Sequence, residues 1–416
     1  MQEGVLVSTP DLRPSLLSVL PGLAEIGLLQ HLVTTLAFES EQIRSISKIP
    51  IIGPRLEPAL RRRRLPPFLA GKASTIWPAE LARLLATKLT APEIAHGVWN
   101  WAERRFDRLV ARKFGGRFQI IYGMEHASAK TFFAQKTVGG LSALRQVTAH
   151  PRTLSTILRN ESSKFPEYVT AYHRRLLDDE QKITARKEEE YRLADIIIAN
   201  SHYVRSSFIE NGVNPEKVFA VPTGCPPVER SRARSGRTKG QIRFLFVGTV
   251  SLRKGFPYLL KAWRQANLGG SAELLVAGGT ELNILAQIAH TPGIRYLGVL
   301  TKGQLREVYR KCDILVLPSL AEGLAHSVLE GLSFGLPVIT TMASGAGNLV
   351  LQDENGFVVP EGNVEALSTA ISHALSAREQ LPRMGDRSAE RAAGWSVAHS
   401  NAEHLRIFRS FCERTL

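Results

Sequence analysis

The chain has 416 residues, too many for a typical single domain, so two domains are the starting expectation. Hydrophobic residues make up 44%, and three cysteines without a C-x-x-C pair exclude a disulfide framework and argue against a structural zinc site. The formal net charge is +15, and residues 1–150 carry much of it, with 20 Lys and Arg against 11 Asp and Glu.

Short apolar runs in the first half predict strands separated by long helical stretches. The candidate strands begin at residues 4, 118, 142, 194 and 216 and read GVLVSTP, FQIIYG, SALRQVTAH, ADIIIANS and EKVFAVPTG. Between them, residues 78–114, which are basic, and residues 165–193, in which both charge signs are mixed, have helical spacing. This alternation indicates an α/β unit.

A linker and a second α/β unit follow. Residues 226–241, PPVERSRARSGRTKGQ, lack an apolar period and are typical of an exposed linker. Beyond them, strand-like runs such as IRFLFVG and AELLVAGG alternate with helices, which predicts a parallel sheet. We therefore expect two Rossmann-like α/β domains that face each other across a cleft, with bounds 1–229 and 230–397. A last helix at 398–416 is expected to pack back on the first domain.

The stretch EGLAHSVLEGLSFGLPVI, residues 322–339, places Glu322 and Glu330 in an otherwise apolar, glycine-rich segment. A predicted strand, DILVLPS, ends just before it, and a helix is expected to begin near His326 or Ser327. The free N–H groups at the start of such a helix form an anion site, and flanking carboxylates accept hydroxyl hydrogen bonds. This combination suits a sugar nucleotide. Alternatively, Ser327 and Glu330 form a capping box with a structural role only.

Two cations stand at the start of the second unit. Arg253 and Lys254 follow the strand at residue 242 and precede Gly255. Cationic side chains at this place can stabilise a leaving phosphate, although Arg253 can equally be a solvated side chain.

These segments resemble glycosyltransferase family 4, retaining enzymes of the GT-B fold with an E-x7-E signature. FLFVGTVSLRKGFPYLLKAW, ADIIIANSHYVRSSFIENGVNPEKVFAVPTG and NGFVVPEGNVEALSTAI are also similar to segments of that family. The similarity is strong over residues 194–370 and loose over the first 190. It implies an acceptor-binding first domain and a second domain that binds a nucleotide-sugar donor.

The resemblance also implies roles for the matching residues. Glu322 would contact the donor sugar, Glu330 the ribose, and Lys254 the leaving phosphate, while backbone of 323–325 would lie against the diphosphate and backbone of 297–299 against the base. The full set of implied donor-binding residues is Arg253, Lys254, Leu297, Gly298, Val299, Glu322, Gly323, Leu324, Ala325 and Glu330.

A histidine of the acceptor domain often approaches the donor sugar in this family. His126 in GMEHAS and His150 in VTAHPRT both follow predicted strands, and a lone histidine can also be structural. AHPRTLSTILRNE resembles the family better, so His150 is expected to be catalytic together with Glu322 and Lys254.

The sequence departs from the family at two places. Gly248 is followed by Thr249 where the family often has arginine, and VSTPDLRPS after the first strand lacks a glycine-rich loop. Both departures are compatible with an enzyme of reduced donor affinity. They are also compatible with a catalytically silent protein that only binds a sugar nucleotide or glycan. A nucleotide-sugar epimerase is a further alternative, which the E-x7-E context disfavours.

The resemblance implies a retaining hexosyltransferase that moves sugar from a nucleotide sugar to a hydroxyl of a glycan or lipid-linked acceptor, in cell-surface polysaccharide or glycolipid biosynthesis. No cofactor and no metal are expected, and D-x-D is absent.

Because the basic runs lack interleaved aromatic residues, we expect no nucleic-acid partner. Without an evident signal peptide or membrane span, a cytoplasmic protein is expected, in peripheral contact with an anionic inner membrane face; a solvated basic surface is the alternative.

Overall fold

The computed structural model describes residues 1–12, 19–49, 53–61, 63–229 and 240–413. Within them the chain forms two α/β domains, each built on a parallel sheet, so the predicted pair of Rossmann-like domains is confirmed. Much of the predicted linker, residues 230–239, lies outside the described residues, as do Arg62 of the basic run and the end of the predicted last helix. The domain boundary at residue 230 therefore stays a prediction.

The sheet of the first domain has the strand order β3-β2-β1-β4-β5-β6-β7 over the described residues, with all pairs parallel. Successive residues of β1 point to opposite faces, so Val5 and Val7 pack in one layer and Leu6 in the other. The order reverses between β1 and β4, which opens a crevice at the carboxyl ends of the strands. The strands are β1 (Gln2–Ser8), β2 (Leu29–Thr34), β3 (Ala73–Thr75), β4 (Phe118–Met124), β5 (Leu141–Gln146), β6 (Ile196–Ala199) and β7 (Val218–Ala220).

Helices cover both faces of this sheet. They are α1 (Leu20–Glu25), α2 (Ser40–Ser47), α3 (Gly53–Arg61), α4 (Pro78–Leu89), α5 (Pro92–Phe114), α6 (Ala129–Lys136), α7 (Pro151–Lys164), α8 (Ala171–Asp178), α9 (Glu180–Leu193) and α10 (His202–Glu210). The helical stretch predicted at 78–114 breaks before Pro92, because proline favours the first turn of a helix and an extended residue before it. Ala91 is extended there and caps α5.

The second domain repeats this architecture with the strand order β10-β9-β8-β11-β12-β13, again parallel. Its strands are β8 (Ile242–Val247), β9 (Ala272–Ala277), β10 (Ile294–Gly298), β11 (Ile314–Leu317), β12 (Val338–Thr340) and β13 (Gly356–Val358). Its helices are α11 (Phe256–Ala266), α12 (Leu285–Ala289), α13 (Lys302–Lys311), α14 (His326–Ser333), α15 (Val364–Ser376) and α16 (Leu381–Gly394). Each predicted strand named for this half is present.

The last helix, α17 (Val397–Glu413), returns to the first domain. Ile407 and Phe408 are buried in the core of that domain, and the Tyr122 hydroxyl lies 2.7 Å from Nε2 of His404 in a hydrogen bond. In the described part of the chain, every helix is too short or too polar to cross a lipid bilayer.

Candidate active site

The loops after β8 and β11 meet at the point where the strand order of the second sheet reverses. Gly255 has a φ of 68°, and a Cβ there would lie 2.0 Å from the carbonyl oxygen of Pro318, so only glycine fits. The N–H of Leu320 donates to the carbonyl of Arg253 at 2.8 Å. These contacts hold the Arg253–Lys254 loop against the segment that leads to α14.

Glu322 lies between the two cations of that loop. Its Oε1 is 2.6 Å from Nη1 of Arg253 and 3.1 Å from Nζ of Lys254, and the residue is only 9% exposed. Neither contact has the alignment of a hydrogen bond, whereas Arg253 donates to the carbonyl of Ala321 at 3.1 Å. The paired charges offset the cost of burial. The arrangement brings one carboxylate and two cations together, so it can bind a hydroxyl and a phosphate side by side.

Helix α14 begins at His326, as the sequence predicts. Ala325 is its N-cap, and no side chain caps it, so the alternative capping box between Ser327 and Glu330 is wrong. Oε2 of Glu330 instead accepts a hydrogen bond from the Tyr309 hydroxyl at 2.8 Å. Burial raises the pKa of this carboxyl, and its Oε1 forms no hydrogen bond with the described residues. Glu330 is therefore oriented and keeps one oxygen for a ligand.

The turn before α14 provides only some of the free backbone N–H groups that were expected to lie against a diphosphate. Among the described residues, no acceptor binds the N–H groups of Gly323 and Leu324, but the N–H of Ala325 donates to the Ser344 carbonyl at 2.9 Å. The predicted contact of the Ala325 amide with a diphosphate therefore does not fit this geometry. Gly323 also touches the first domain, because a Cβ there would lie 1.6 Å from the carbonyl oxygen of Val147.

The segment expected to contact a base lies at the end of β10. Gly298 has a φ of 68°, and its carbonyl accepts a hydrogen bond from the N–H of Gly278 at 2.8 Å. Leu297 is partly buried, whereas Val299 is 81% exposed. The segment borders the loop after β9 and presents an apolar side chain to solvent there.

A cavity of about 700 Å³ lies between the domains. Helices α4, α5, α7, α8 and α9 of the first domain contribute most of its wall, and the second domain contributes Arg253, Glu281, Ala321, Glu322 and Gly323. The apolar part of that wall includes Trp99, Leu154, Leu158, Leu176, Leu177 and Ile183. The cavity joins the Glu322 charge cluster to a largely apolar chamber.

The two candidate histidines occupy different environments. His150 is 1% exposed, lies against the rings of Tyr191 and Phe208, and is outside the cavity wall. Burial lowers its pKa to about 4. His126 lines the cavity, with its ring edge-on to that of Trp99 at 5.1 Å between centroids. The geometry thus does not support the predicted catalytic role of His150 and favours His126.

His126 is held in an unusual backbone conformation. Its φ is 73°, which is uncommon for a residue other than glycine. The carboxylate of buried Glu190 accepts hydrogen bonds from the N–H groups of His126 at 2.9 Å and Ser128 at 3.0 Å. Burial raises the pKa of Glu190 to about 7. Glu190 therefore fixes the turn that carries the histidine to the cavity.

A second buried ion pair borders the cavity beside this turn. Oε2 of Glu125 accepts hydrogen bonds from Lys187 Nζ at 3.1 Å, Thr148 Oγ1 at 2.7 Å and Gln146 Nε2 at 2.7 Å. Lys187 and Thr148 line the cavity. Sequence reasoning missed this cluster, although Glu125 at the end of a predicted strand and next to His126 was an available signal.

Two parallel-sheet Rossmann-like domains across a shared cleft define the GT-B fold of glycosyltransferases. Crystal structures agree: the Anabaena protein HepE in complex with UDP-glucose superposes with a TM-score of 0.60 at 15% identity, over 99% of this chain and 100% of that one. The predicted fold class is confirmed.

Residues 227–391 match the family described as "Glycosyl transferases group 1". An uncharacterized glycosyltransferase of Methanocaldococcus jannaschii is 25% identical over 215 residues, which are 50% of this chain and 53% of that protein. The D-inositol 3-phosphate glycosyltransferase of Nocardia farcinica is 25% identical over 228 residues, 50% of this chain and 51% of that protein. The chain thus spans about half the length of these relatives. The resemblance to GT-B glycosyltransferases is confirmed, and the relatives are consistent with family 4.

Proposed function

We propose that the protein is a retaining glycosyltransferase. It moves a sugar from a nucleotide-diphosphate sugar to a hydroxyl of a glycan or lipid-linked acceptor, in cell-surface polysaccharide or glycolipid biosynthesis. The observation that carries this proposal is the charge cluster of Glu322, Arg253 and Lys254, of which Glu322 and Arg253 line a cavity shared by both domains. The family match of the second domain supports the same class of reaction.

The donor binds on the second domain in this proposal. The phosphates meet Arg253, Lys254 and the free N–H groups before α14, and the sugar hydroxyls meet Glu322. Glu330 binds the ribose through its free oxygen, and the base lies against residues 297–299. Donor phosphates compete with Glu322 for the two cations, which frees the carboxylate for hydroxyl groups.

The acceptor enters through the first-domain side of the cavity. Its hydroxyl oxygen bonds to the anomeric carbon on the face from which the phosphate leaves, and its proton passes to the departing phosphate oxygen. The two cations stabilise the charge that develops on this phosphate. We assign the acceptor-side histidine role to His126, because it lines the cavity and His150 does not.

The proposed transfer requires no divalent metal and no cofactor, since Arg253 and Lys254 supply positive charge at the phosphate position. We expect turnover to survive EDTA, as measured by release of nucleoside diphosphate. A loss of turnover that Mg²⁺ or Mn²⁺ restores would contradict this part of the proposal.

We propose that the protein acts at the cytoplasmic face of an anionic membrane. The proposed lipid-linked acceptor and the basic first half of the chain support this location. Positive charge near an anionic surface contributes about 1 kcal/mol per Lys or Arg. We therefore expect peripheral, salt-sensitive binding to anionic vesicles. Absence of cosedimentation at low ionic strength would count against this location.

Incubation with radiolabelled UDP-, GDP- and ADP-sugars tests the transferase. Slow hydrolysis of one donor without acceptor, lost on Lys254→Met, is the expected result. The exposed Arg383→Met variant is the control for removing one cation from the same domain. Tight nucleotide-sugar binding without release of nucleoside diphosphate would favour the alternative, a silent binding protein, which the absence of an arginine at position 249 keeps open.

A further inference from the structure

Helix α4 and its N-cap residue, Trp77, present large apolar side chains to solvent at four-residue spacing. Trp77, Leu81, Leu85 and Leu89 are 53%, 50%, 50% and 77% exposed. Each step of four residues turns a helix by about 40°, so the four side chains lie along one side. Single exposed apolar residues are ordinary, but a contiguous row of this size marks an interaction surface.

The opposite side of α4 faces the cavity and fixes the orientation of the helix. Arg83, Thr87 and Thr90 line the cavity. Buried Glu80 accepts hydrogen bonds from Arg83 at 2.7 Å and from Arg63 at 2.9 Å, which anchors the helix to the preceding segment. The apolar row is therefore held outward by ion pairs on the inner side.

Helix α5 packs on α4 and continues the surface with positive charge. Ile94 and Trp101 are exposed, and Arg104, Arg105, Arg108 and Arg112 follow on the same exposed side. Glu103 and Asp107 of this helix are buried, so they do not screen that side. None of the four arginines forms an ion pair with a residue in the described part of the chain.

We propose that this α4–α5 face, formed by Trp77, Leu81, Leu85, Leu89, Ile94, Trp101 and the four arginines, docks on an anionic lipid bilayer. Apolar side chains enter the interfacial region and arginines contact anionic headgroups, which is the pattern of an interfacial helix. This inference rests on the membrane contact proposed above. It names the surface and adds an apolar contribution that salt does not screen.

The docked face has a consequence for the acceptor. Because α4 contacts the bilayer on one side and the cavity on the other, docking places the apolar chamber beside the membrane surface. An acceptor anchored in the bilayer by an apolar portion would then lie close to the chamber and to the Glu322 cluster. The face therefore selects membrane-associated acceptors.

Cosedimentation of the full-length protein with phosphatidylcholine vesicles, with and without phosphatidylglycerol, tests the proposal at low and high salt. Leu85→Ser/Leu89→Ser is expected to weaken binding about tenfold at both salt concentrations. Arg105→Gln/Arg108→Gln is expected to weaken it about tenfold at low salt and little at high salt. Leu285→Ser, an exposed leucine of the second domain, is the control and should bind like wild type.

Donor hydrolysis separates this proposal from that of the transferase. Both double variants should keep wild-type hydrolysis of a soluble nucleotide sugar and wild-type melting temperature, because the changed side chains are exposed. Wild-type sedimentation of the leucine variant overturns the docked face. Three other results would also overturn it. They are a complete loss of vesicle binding at high salt, displacement of the vesicles by a single-stranded oligonucleotide that binds the protein, and a wild-type dimer that dissociates in the leucine variant.

Discussion

The two sides of the cleft are built in different ways. On the donor side, loops after β8 and β11 are locked by close backbone approaches, such as Gly255 against the Pro318 carbonyl. On the acceptor side, helices α4, α5, α7, α8 and α9 contribute side chains from distant parts of the sequence. The donor half thus depends on a few charged residues held on rigid loops, whereas the acceptor half is formed by side chains from several helices. Variants of the first should affect turnover more severely than variants of the second.

The largest effect is expected from Glu322→Gln. The neutral amide cannot hold the cation pair and accepts hydroxyl hydrogen bonds less strongly, so kcat should fall by about 10²–10³. Steady-state release of nucleoside diphosphate measures it. Glu379→Gln, an exposed change on the same domain, should match wild type. A kcat near the wild-type value for Glu322→Gln would remove this carboxylate from the site.

His150 should affect stability and its pH dependence. Its pKa is 6.5 when unfolded and about 4 when buried, so the unfolded chain binds the extra proton between these values. The contribution of the buried neutral His150 to the free energy of unfolding is therefore fully present above about pH 6.5. The free energy of unfolding falls by up to about 3 kcal/mol as the pH drops to about 4. Urea unfolding of wild type and His150→Gln across this range should show a smaller pH dependence in the variant. Parallel curves would contradict the burial of a neutral ring.

Glu330→Gln should weaken binding of the nucleoside diphosphate about tenfold, because a charged acceptor of the ribose hydroxyls is lost. Its melting temperature should change little, since glutamine still accepts the hydrogen bond from Tyr309. Calorimetric titration and thermal melting measure the two quantities. Tyr309→Phe is the matched control, which keeps the ring stacked on Phe334 and removes the hydroxyl that donates to Glu330 and also lies 3.3 Å from the Ser327 carbonyl oxygen. Lower stability with unchanged nucleotide binding would make Glu330 structural.

The smallest effect is expected on the acceptor side. His126→Gln should lower transfer about fivefold, a typical size for one hydrogen bond, and leave nucleotide binding unchanged. His150→Gln should transfer sugar at nearly the wild-type rate at pH 7. If instead the His150 variant loses transfer and the His126 variant does not, the assignment made from the family resemblance would hold against the geometry.

The donor half could be predicted closely because its signals are local. Buried parallel strands are short apolar runs. Glu322, Arg253 and Lys254 lie on two loops that follow such runs, and Glu330 lies in helix α14, which begins directly after one of these loops. The actual partner of Glu330 could not be predicted, because Tyr309 comes from a neighbouring helix 21 residues away. The resemblance identified the fold, but not which amides stay free before α14.

The first half could be predicted less well for physical reasons. Strand β2 contains Gln30 and His31, and β3 has only three residues, so neither forms an apolar run. His150 follows a strand and still turns into the core, because Tyr191 and Phe208 pack on its ring. The cavity wall combines helices that are far apart in sequence, and no local pattern encodes their meeting.

The return of the chain to the first domain determines how the two domains can move. The outgoing crossing at Gly224–Cys225 and the returning crossing at Trp395–Ser396 lie side by side, joined by a hydrogen bond from the Cys225 N–H to the Trp395 carbonyl at 2.8 Å. A Cβ on Gly224 would lie 2.3 Å from the backbone of Ser396. Because the chain passes between the two sheets at both places, we expect any opening or closing of the cleft to pivot at this contact. A bulky residue at position 224 would clash with the backbone of Ser396 and is expected to hinder that movement, although position 224 does not line the cavity.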